Sequence, residues 1–540
     1  MNYMENENLL PAIWAGMECT ISRTHDDFHD QLACGGYYTN DYLDHVLQLN
    51  PKAVRFPILW ERHEPVQGAA IDWTWARSQL NKLREQGVAP IVGLLHHGSG
   101  PAFTDLADPS FPGLLAEYAG RVAQAFPWVQ YWSPVNEPLT TARFSGLYGH
   151  WYPHKKNDRD FLKMLINQAK AIVLSMAAIR EISPEAKLIQ TEDLAKTYSS
   201  PALRYQASFE NNRRWLSLDL LCGKLTEKHP LYNYFIDNGI SAADLRFFQD
   251  NPCAPAIIGA NYYITSERYL ATDLANYPVH THGGNGQHAY ADVEAIRVPI
   301  KQANGPRVLL QELWNRYQLP IALTEVHLHC SREEQLRWFK YLFDVAAELR
   351  NSGVDIQAVT AWAVLGSFGW DQLLTCKSMN YESGAFDISA GYCRITALGT
   401  FIKNLPLKSD AYEPLLAMPG WWQRPSRFFK YHNEPLLSNA ADIRPLLILG
   451  KRGTLGRAFF HICNRRNIHQ VSLSRQEADV CEDLSALLKF YKPWAVINAT
   501  GYVDVDAAED DPSACENLNT AAVVKLASAC QRLNIPLVNF

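Results

Sequence analysis

The sequence predicts an α/β protein in which a TIM (β/α)8 barrel is followed by a truncated Rossmann-like NAD(P)-binding domain. Three observations lead to this prediction. Short apolar runs alternate with helical segments before about residue 370, a Pro- and aromatic-rich stretch then interrupts the pattern, and the alternation resumes at Arg444. Such alternation is typical of parallel βα units. At 540 residues, the chain is long enough for two domains.

Eight apolar runs are the predicted barrel strands, and each ends where polar residues begin. They begin near Ile13, Ala53, Pro90, Tyr131, Lys187, Ala256, Ile321 and Val359. Helices are predicted between them; Asp72 is the expected cap of one that Gly87 ends, and Gly353 ends another. Eight βα units close into a barrel whose active site lies at the C-terminal ends of the strands. We therefore place the barrel at residues 10–405.

A linker is predicted at residues 406–442, where the sequence shows no clear period. The second domain is predicted at residues 443–540. Its strands are expected in RPLLILG, HQVSLS, AVINATG and PLVNF, with helical segments between them.

Two glutamates lie at strand ends on the active face of the predicted barrel. Glu137 follows the fourth strand and Glu325 ends the seventh. A lone glutamate at a strand end is more often a salt-bridged or solvated carboxylate. Two of them on one barrel face favour catalysis, because carboxyls about 5 to 5.5 Å apart perform a double displacement at an anomeric carbon with retention of configuration.

The surrounding segments resemble those of glycoside hydrolase family 1, the β-glucosidase-like family, from about residue 14 to 405. VRFPILWERHEP, LLHHGSGPAF, YWSPVNEP, GANYYITS and LTEV resemble its segments in order. The resemblance implies that Glu325 is the nucleophile and Glu137 the acid/base. It also assigns substrate-binding positions to Arg55, His97, Asn136, Tyr263, Trp362 and Trp370.

Within this resemblance, Arg55 and Tyr263 contact the nucleophile, and Asn136 binds the sugar 2-hydroxyl. We expect the Arg55 cation to lower the pKa of Glu325 and to keep it ionised. No cofactor is expected for the barrel.

Three departures from the family pattern concern substrate specificity. WAVLGSFGW keeps the two tryptophans of a family segment but has Gly369 in place of a sugar-binding glutamate, WAGMECTISR replaces the Q-x-E-G segment, and Val326 replaces an asparagine. A glucose substrate is therefore not implied. A carbohydrate-binding barrel without hydrolytic activity remains an alternative.

The C-terminal domain carries a glycine pattern of dinucleotide-binding folds. Gly450-Lys451-Arg452-Gly453-Thr454-Leu455-Gly456 follows an apolar strand and opens a helix, the context in which backbone N–H groups cradle a pyrophosphate. The region 443–540 resembles dTDP-4-dehydrorhamnose reductase, an extended short-chain dehydrogenase. The resemblance implies binding of NADP or NAD by Gly450, Gly453, Thr454, Leu455, Gly456, Ser474, Arg475 and Asp479.

In that resemblance, Ser474 and Arg475 favour a ribose 2′-phosphate and Asp479 faces the adenine; a solvated loop is the alternative. The catalytic Tyr-x-x-x-Lys of the reductase family does not occur in residues 443–540. We therefore do not expect reductase activity from this chain alone. The alternative function is a full-length reductase in which the barrel binds sugar.

Composition excludes other classes of partner. The net charge is −6 with only short basic clusters, which argues against nucleic acid, and the acidic N-terminus lacks the features of a signal peptide. No membrane span is expected. Eleven cysteines without a C-x-x-C pair suggest a reducing, cytoplasmic setting.

The expected partner is a small-molecule glycoside or a nucleotide sugar. The four histidines at positions 96, 97, 327 and 329 lack the spacing of a metal site, so no metal is predicted.

Overall fold

The computed structural model describes residues 10–24, 27–300, 305–376, 378–405, 413–429 and 443–540. Of the predicted linker, 406–412 and 430–442 lie outside the described residues. The chain divides into two units. The first contains the described residues within 1–329, 338–406 and 428–430, and the second contains those within 330–337, 407–427 and 431–540.

Eight parallel strands of the first unit close into a barrel in sequence order. They are β1 (Ala12–Gly16), β2 (Ala53–Pro57), β3 (Ala89–His96), β4 (Tyr131–Asn136), β5 (Lys187–Asp193), β6 (Ile257–Asn261), β7 (Ile321–Val326) and β8 (Ile356–Ala361). β1 pairs with both β2 and β8, which closes the sheet. Each predicted run overlaps one of these strands, although β8 begins three residues before the predicted run at Val359, and the predicted (β/α)8 barrel is confirmed.

A layer of apolar side chains fills the lower part of the barrel. Its buried members are Trp14, Ala53, Ile91, Ile189, Ala322 and Ala358, so that large and small residues share the layer. Side chains two residues apart along a strand point to the same side. Positions 55, 191 and 324 therefore face inward above this layer, toward the C-terminal ends of the strands, and all three are polar.

The main helices lie between and after the strands. They are α1 (Thr74–Glu85), α2 (Phe111–Ala125), α3 (Pro138–Ala142), α4 (Asp158–Ile182), α5 (Arg204–Arg213), α6 (Leu216–Leu221), α7 (Ala242–Asp250), α8 (Gly305–Tyr317), α9 (Arg332–Asn351) and α10 (Ala397–Asn404). Shorter helices span Gln31–Cys34, Leu43–Leu47, Trp60–His63 and Tyr232–Asp237, and a π-helical turn spans Arg143–Leu147.

The loops above the barrel carry small sheets. A four-stranded sheet consists of Lys196–Ser199, Glu267–Ala271, His282–Gly284 and Ala289–Glu294. Two-stranded sheets pair Ile21–Thr24 with Asp27–Asp30, Ser367–Phe368 with Tyr381–Glu382, and Phe386–Asp387 with Arg394–Ile395.

The predicted helix ends agree with the structure except at one cap. The N-cap of α1 is Trp73 rather than Asp72, although Asp72 still accepts a hydrogen bond from the Thr74 N–H at 2.8 Å. Gly87 (φ +66°) and Gly353 (φ +96°) adopt left-handed backbone just after α1 and α9. Glycine adopts this conformation without the penalty that a Cβ atom imposes.

Helix α4 is long and apolar enough to span a membrane by length and composition. However, 72% of its most apolar window is buried within the structure, where α4 packs against α2. Packing in the protein core accounts for this apolar sequence.

The second unit contains a parallel four-stranded sheet. Its strands are β9 (Leu446–Leu449), β10 (Gln470–Leu473), β11 (Ala495–Asn498) and β12 (Leu537–Asn539), in the order β10-β9-β11-β12. Its helices include α11 (Thr454–Arg465), α12 (Ser485–Tyr491) and α13 (Ala522–Arg532), and shorter helices span Glu413–Leu416, Val505–Asp510 and Pro512–Glu516.

Both faces of β9 are buried. Leu447 and Leu449 belong to one apolar cluster, and Leu446 and Ile448 belong to another. Parallel sheets are covered on both faces in this way. The unit is Rossmann-like, as the sequence predicts. Its strand order reverses between β9 and β11, and folds of this kind bind ligands beyond the C-terminal ends of the strands at such a reversal.

We expect Leu80→Ala to lower the free energy of unfolding of the barrel by about 2–5 kcal/mol, because Leu80 on α1 is fully buried. Urea denaturation followed by circular dichroism measures this change. The matched control is Ser78→Ala on the exposed face of α1, which we expect to change the free energy by no more than about 0.5 kcal/mol. Equal effects of the two substitutions would contradict the packing described for α1.

Candidate active site

The C-terminal mouth of the barrel holds a buried network of polar side chains. Glu325 lies at the centre of one half of this network and is 3% exposed. The Arg55 guanidinium donates to Glu325 Oε1 at 2.8 Å, and the Tyr263 hydroxyl donates to Glu325 Oε2 at 2.5 Å. Each carboxylate oxygen therefore has its own donor, and one of these donors is a cation. The sequence prediction that Arg55 and Tyr263 contact Glu325 agrees with this geometry.

Arg55 also connects Glu325 to the fourth strand. Its second guanidinium nitrogen donates to Asn136 Oδ1 at 2.7 Å, and that oxygen also accepts from the Thr191 hydroxyl at 2.6 Å. The Asn136 amide nitrogen lies 3.2 Å from His96 Nε2 and 3.3 Å from His97 Nε2. Since the Asn136 oxygen has two donors, its amide group is fixed with the NH2 toward the histidines.

Glu137 begins helix α3 in a left-handed backbone conformation with φ +44°. It is 5% exposed, and its Oε1 accepts from the Asn261 amide at 2.5 Å. Asn261 in turn accepts from the Thr324 hydroxyl at 2.6 Å. Left-handed backbone is uncommon for a residue other than glycine and is found disproportionately at functional sites.

The two carboxyls lie in different electrostatic environments. Burial, together with the charge of Glu325, raises the pKa of Glu137 well above its usual range. Burial also raises the pKa of Glu325, but the Arg55 cation and the Tyr263 hydroxyl oppose that rise. The sequence-based prediction that the pKa of Glu325 is lowered is therefore wrong in its net direction, because the desolvation penalty exceeds the effect of the cation.

His97 does not supply a second cation. Burial lowers its pKa to about 3, so it is neutral at neutral pH although its Nε2 lies 3.8 Å from Glu137 Oε2. Its Nδ1 lies 3.1 Å from the Thr141 hydroxyl on α3. Burial also lowers the pKa of His96 well below its usual range. A neutral His97 leaves Glu137 without a positive partner at this contact, which favours the protonated acid.

Both tryptophans that the sequence analysis assigns to the site lie beside these histidines. Trp362 stacks on His96 with ring centroids 5.4 Å apart and lies under the Arg55 guanidinium at 4.3 Å. Trp370 meets His97 edge-on at 5.8 Å. Trp362 is 4% exposed and supports the network from below, whereas Trp370 is partly exposed.

Gly369 occupies a position whose backbone conformation and close neighbours would strain any residue with a side chain. Its φ is +72°, and a Cβ atom there would lie 2.9 Å from the Ser378 carbonyl oxygen. A glutamate at this position would require the backbone to shift. The departure from the family pattern is therefore part of the local backbone structure.

Several residues of the site were not predicted from the sequence as site residues, and His96 was considered there only as a metal ligand. These are Glu18, His96, Thr191, Glu192, Asp193, Asn261 and Thr324. The feature of the sequence that could have identified them is their position, since each lies near or just beyond the end of a barrel strand. Glu18 is 7% exposed and accepts from the Thr20 N–H at 2.8 Å, and burial raises its pKa to about 7.

The histidines do not form a metal site. His327 lies 3.1 Å from Glu382, whereas His96 and His97 contact Asn136. Among the described residues there is no group of three or more His, Cys, Asp or Glu side chains that could hold a metal ion.

The second unit contains a glycine turn between β9 and α11. Gly450 has φ +93°, and a Cβ atom there would lie 2.6 Å from the Ala499 carbonyl oxygen. A Cβ atom on Gly456 would lie 2.1 Å from the Gly450 carbonyl oxygen. Gly453 is the N-cap of α11 and is exposed, as are Thr454 and Leu455. The first and third glycines thus permit a tight turn and close packing of the helix, and the exposed helix N-terminus fits an anion such as a pyrophosphate.

The loop after β10 carries the other predicted cofactor residues. The Ser474 hydroxyl donates to Glu477 Oε2 at 2.6 Å, and Arg475 pairs with Asp479 at 3.0 Å. Arg475 remains 76% exposed. The predicted contacts with a 2′-phosphate and an adenine remain predictions.

Comparison with known proteins adds to the geometry of the first unit. The family model of glycosyl hydrolase family 1 matches residues 10–378. The family 1 β-glucosidase from Thermotoga maritima is similar in structure with a TM-score of 0.58 and 17% sequence identity, covering 74% of this chain and 98% of that protein. At this identity the likeness shows the fold alone.

The C-terminal region matches the model of the RmlD substrate binding domain at residues 444–540. A dTDP-4-dehydrorhamnose reductase from Mycolicibacterium smegmatis is 26% identical over 122 residues, which are 22% of this chain and 36% of that protein. One from Burkholderia thailandensis is 40% identical over 72 residues, or 13% of this chain and 24% of that protein. The chain thus spans between about a quarter and about a third of the length of these relatives.

We expect Glu137→Gln to stabilise the protein at neutral pH. The pKa of Glu137 is higher in the folded protein than its ordinary value of 4.5. Its contribution to stability is therefore fully present below 4.5 and is lost as the pH rises through the folded value. Gln keeps an acceptor for Asn261 and carries no charge, so the melting temperature should rise by about 2 °C or more at pH 8, and the gain should vanish near pH 4.

Differential scanning calorimetry from pH 4 to pH 8 measures this effect. The matched control is Glu117→Gln, at an exposed carboxylate on α2, which should not show the same growth of stability with pH. A melting temperature for Glu137→Gln that falls below the wild-type value as the pH rises would contradict the electrostatic description of the site.

Proposed function

Because the chain belongs to glycosyl hydrolase family 1, we propose that its barrel is a retaining O-glycosyl hydrolase with Glu325 as nucleophile and Glu137 as acid/base. The observation that carries this proposal is the asymmetry of the two buried carboxyls. Glu325 has a cationic donor in Arg55, whereas the neutral amide of Asn261 donates to Glu137. Environments that push two carboxyl pKa values apart separate a nucleophile from an acid.

The first chemical step forms a glycosyl-enzyme. A Glu325 oxygen attacks the anomeric carbon while Glu137 gives its proton to the leaving oxygen, so the glycosidic bond breaks and the alcohol departs. The Arg55 guanidinium and the Tyr263 hydroxyl orient the attacking carboxylate. Glu137 is left as a carboxylate in a buried position, where it is a strong base.

The second step releases the sugar. Glu137 takes a proton from a water molecule, the water oxygen attacks the anomeric carbon, and the bond to Glu325 breaks. Glu137 regains its proton, and Glu325 returns to its contacts with Arg55 and Tyr263. Two inversions at the same carbon give net retention.

The substrate class is a small-molecule O-glycoside. In this proposal Asn136, His97 and Trp370 contact the sugar, and Trp362 acts from beneath through Arg55 and His96; the contacts among these side chains support the assignment. Gly369 and the WAGMECTISR segment are reasons not to assign glucose. A cytoplasmic location is part of the proposal and rests on the cysteine pattern of the sequence.

A panel of aryl β-glycosides assayed with the wild type and with Glu325→Ala tests this function. We expect wild-type turnover of at least one glycoside and a kcat at least about 10⁴-fold lower for Glu325→Ala, because the glycosyl-enzyme cannot form. Glu117→Gln should retain wild-type kcat. Proton NMR of the first-formed sugar should show the β-anomer. Equal turnover by wild type and Glu325→Ala, or none across the panel, would reject the hydrolase, and release of the α-anomer would reject retention.

We also infer that the second unit binds a dinucleotide, NADP or NAD, as part of a nucleotide-sugar reductase-like domain. The close backbone packing at Gly450 and Gly456 supports this, since these glycines leave no space for side chains and bring the turn to the N-terminus of α11. The backbone N–H groups at Thr454 and Leu455 would hold the pyrophosphate, whereas the Gly453 N–H donates to the Gly450 carbonyl oxygen at 3.0 Å and closes the turn. A nicotinamide dinucleotide is a hydride carrier, but hydride transfer is not part of this proposal, because residues 443–540 contain no Tyr-x-x-x-Lys pair.

We expect Gly453→Asp to weaken dinucleotide binding without unfolding the domain. Gly453 has φ −76° and is the N-cap of α11, a position that Asp favours, but the added carboxylate would repel a pyrophosphate. Gly453→Asn is the matched neutral control. Calorimetric titration should show that the Asp variant binds NADPH and NADH at least about tenfold more weakly than the Asn variant does. Equal affinities of the Asp and Asn variants would reject the pyrophosphate site.

If Arg475 contacts a 2′-phosphate, Arg475→Ala should lower the affinity for NADPH more than the affinity for NADH.

A further inference from the structure

Helix α3 directly follows Glu137, the proposed acid/base, but the Glu137 side chain does not cap the helix. Glu137 is the N-cap residue, yet its side chain makes no capping hydrogen bond and instead accepts from Asn261. The first N–H groups of a helix have no partner within the helix. Because its carboxyl points into the barrel mouth, Glu137 leaves the start of α3 in need of an acceptor from elsewhere.

Glu192 supplies that acceptor from the neighbouring strand. It is the second-last residue of β5 and is 4% exposed. Its Oε2 accepts the Leu139 N–H at 3.0 Å, which lies in the first turn of α3. Its Oε1 lies 3.3 Å from the Asp193 N–H and 3.5 Å from the Thr140 hydroxyl.

The end of β5 also holds the backbone of Glu137 itself. The Glu137 N–H donates to the Thr191 carbonyl oxygen at 3.2 Å, one residue before Glu192. Contacts from two consecutive residues of β5 thus fix both sides of the left-handed turn at Glu137. A carboxylate at the N-terminus of a helix also interacts favourably with the helix dipole.

We propose that Glu192 is a positioning residue for the acid/base: it caps α3 in place of Glu137 and thereby frees the Glu137 carboxyl to face the leaving oxygen. This inference rests on the proposed hydrolase function of the barrel. Glu192 does not touch the reacting atoms, and its effect on catalysis passes through Glu137.

The charge of Glu192 gives this role a measurable signature. The groups that face Glu137 are Glu325 from β7, Asp193 and Glu192 from β5, Asn261 from β6 and the neutral His97 after β3. Those that face Glu192 are Asp193 and Arg143, the latter from the π-helical turn after α3.

Burial raises the pKa of Glu192 to about 7, so above that pH it carries a negative charge. A negative neighbour disfavours ionisation of Glu137 and keeps the acid protonated to higher pH. Removal of the charge should therefore move the alkaline limb of kcat/KM to lower pH, because that limb reports loss of the acid's proton.

Two substitutions separate the charge from the cap. Glu192→Gln removes the charge but keeps an oxygen for the Leu139 N–H. We expect it to retain kcat within about threefold at the pH optimum and to shift the alkaline limb down by about 0.5 to 1 pH unit. Glu192→Ala removes both, so the acid/base should lose its alignment.

The leaving group shows whether alignment of the acid is lost. A dinitrophenyl glycoside departs without protonation, whereas an alkyl glycoside of the same sugar needs the proton from Glu137. We expect Glu192→Ala to reduce kcat/KM about tenfold or more for the alkyl glycoside and no more than about threefold for the dinitrophenyl glycoside. The matched control is Ser241→Ala, which removes the cap of α7 away from the site and should lower stability with no dependence on the leaving group.

The outcomes distinguish this inference from the function on which it rests. No turnover by the wild type would overturn both the proposed function and the inference. Wild-type turnover with an unchanged pH profile in Glu192→Gln and no leaving-group dependence in Glu192→Ala would overturn the inference alone. If Glu192→Ala fails to fold, the pH profile of Glu192→Gln decides the question.

Discussion

The barrel mouth depends on one buried cation shared among several strands. Arg55 on β2 donates to Glu325 and the Thr324 carbonyl oxygen on β7 and to Asn136 on β4. A buried carboxylate is costly unless it is paired and hydrogen-bonded. Because Arg55 is in direct contact with only one of the two glutamates, it favours the ionised form of Glu325 and leaves Glu137 without a cationic partner at this contact.

The barrel makes this arrangement possible through small residues and the two-residue period of its strands. Ala53 lies in the apolar layer and Arg55 lies above it on the same inward face. On β6, a Cβ atom at Gly259 would lie 2.6 Å from Thr191 and 2.7 Å from Thr324. The absence of that atom allows the two threonines to approach each other beneath Asn261 and to complete the hydrogen-bond network.

The sequence was sufficient for features that repeat or lie at strand ends. Eight apolar runs predicted the strands, and the candidate site was predicted from Glu137, just after β4, and Glu325, near the end of β7. The contacts of Asn261 with Glu137 and of Glu192 with Leu139 join residues 124 and 53 positions apart. They were not predicted, because the family resemblance on which the Arg55–Glu325 contact was predicted assigned no role to Asn261 or Glu192. The pKa of Glu325 was predicted in the wrong direction because the sequence shows the cation but not the extent of burial.

The cost of burying several carboxyls around one cation gives a reason for the departures from the family pattern. Glu18 places a further buried carboxyl near Arg55 and Glu325, and burial raises its pKa to about 7. A glutamate at position 369, next to Trp370, would bring another carboxyl to a mouth in which Arg55 is already hydrogen-bonded to Glu325 and Asn136. Each added negative charge raises the cost of ionising Glu325, which the proposed mechanism requires as a carboxylate. A carboxyl in the β1 loop and a glycine at 369 are therefore mutually consistent.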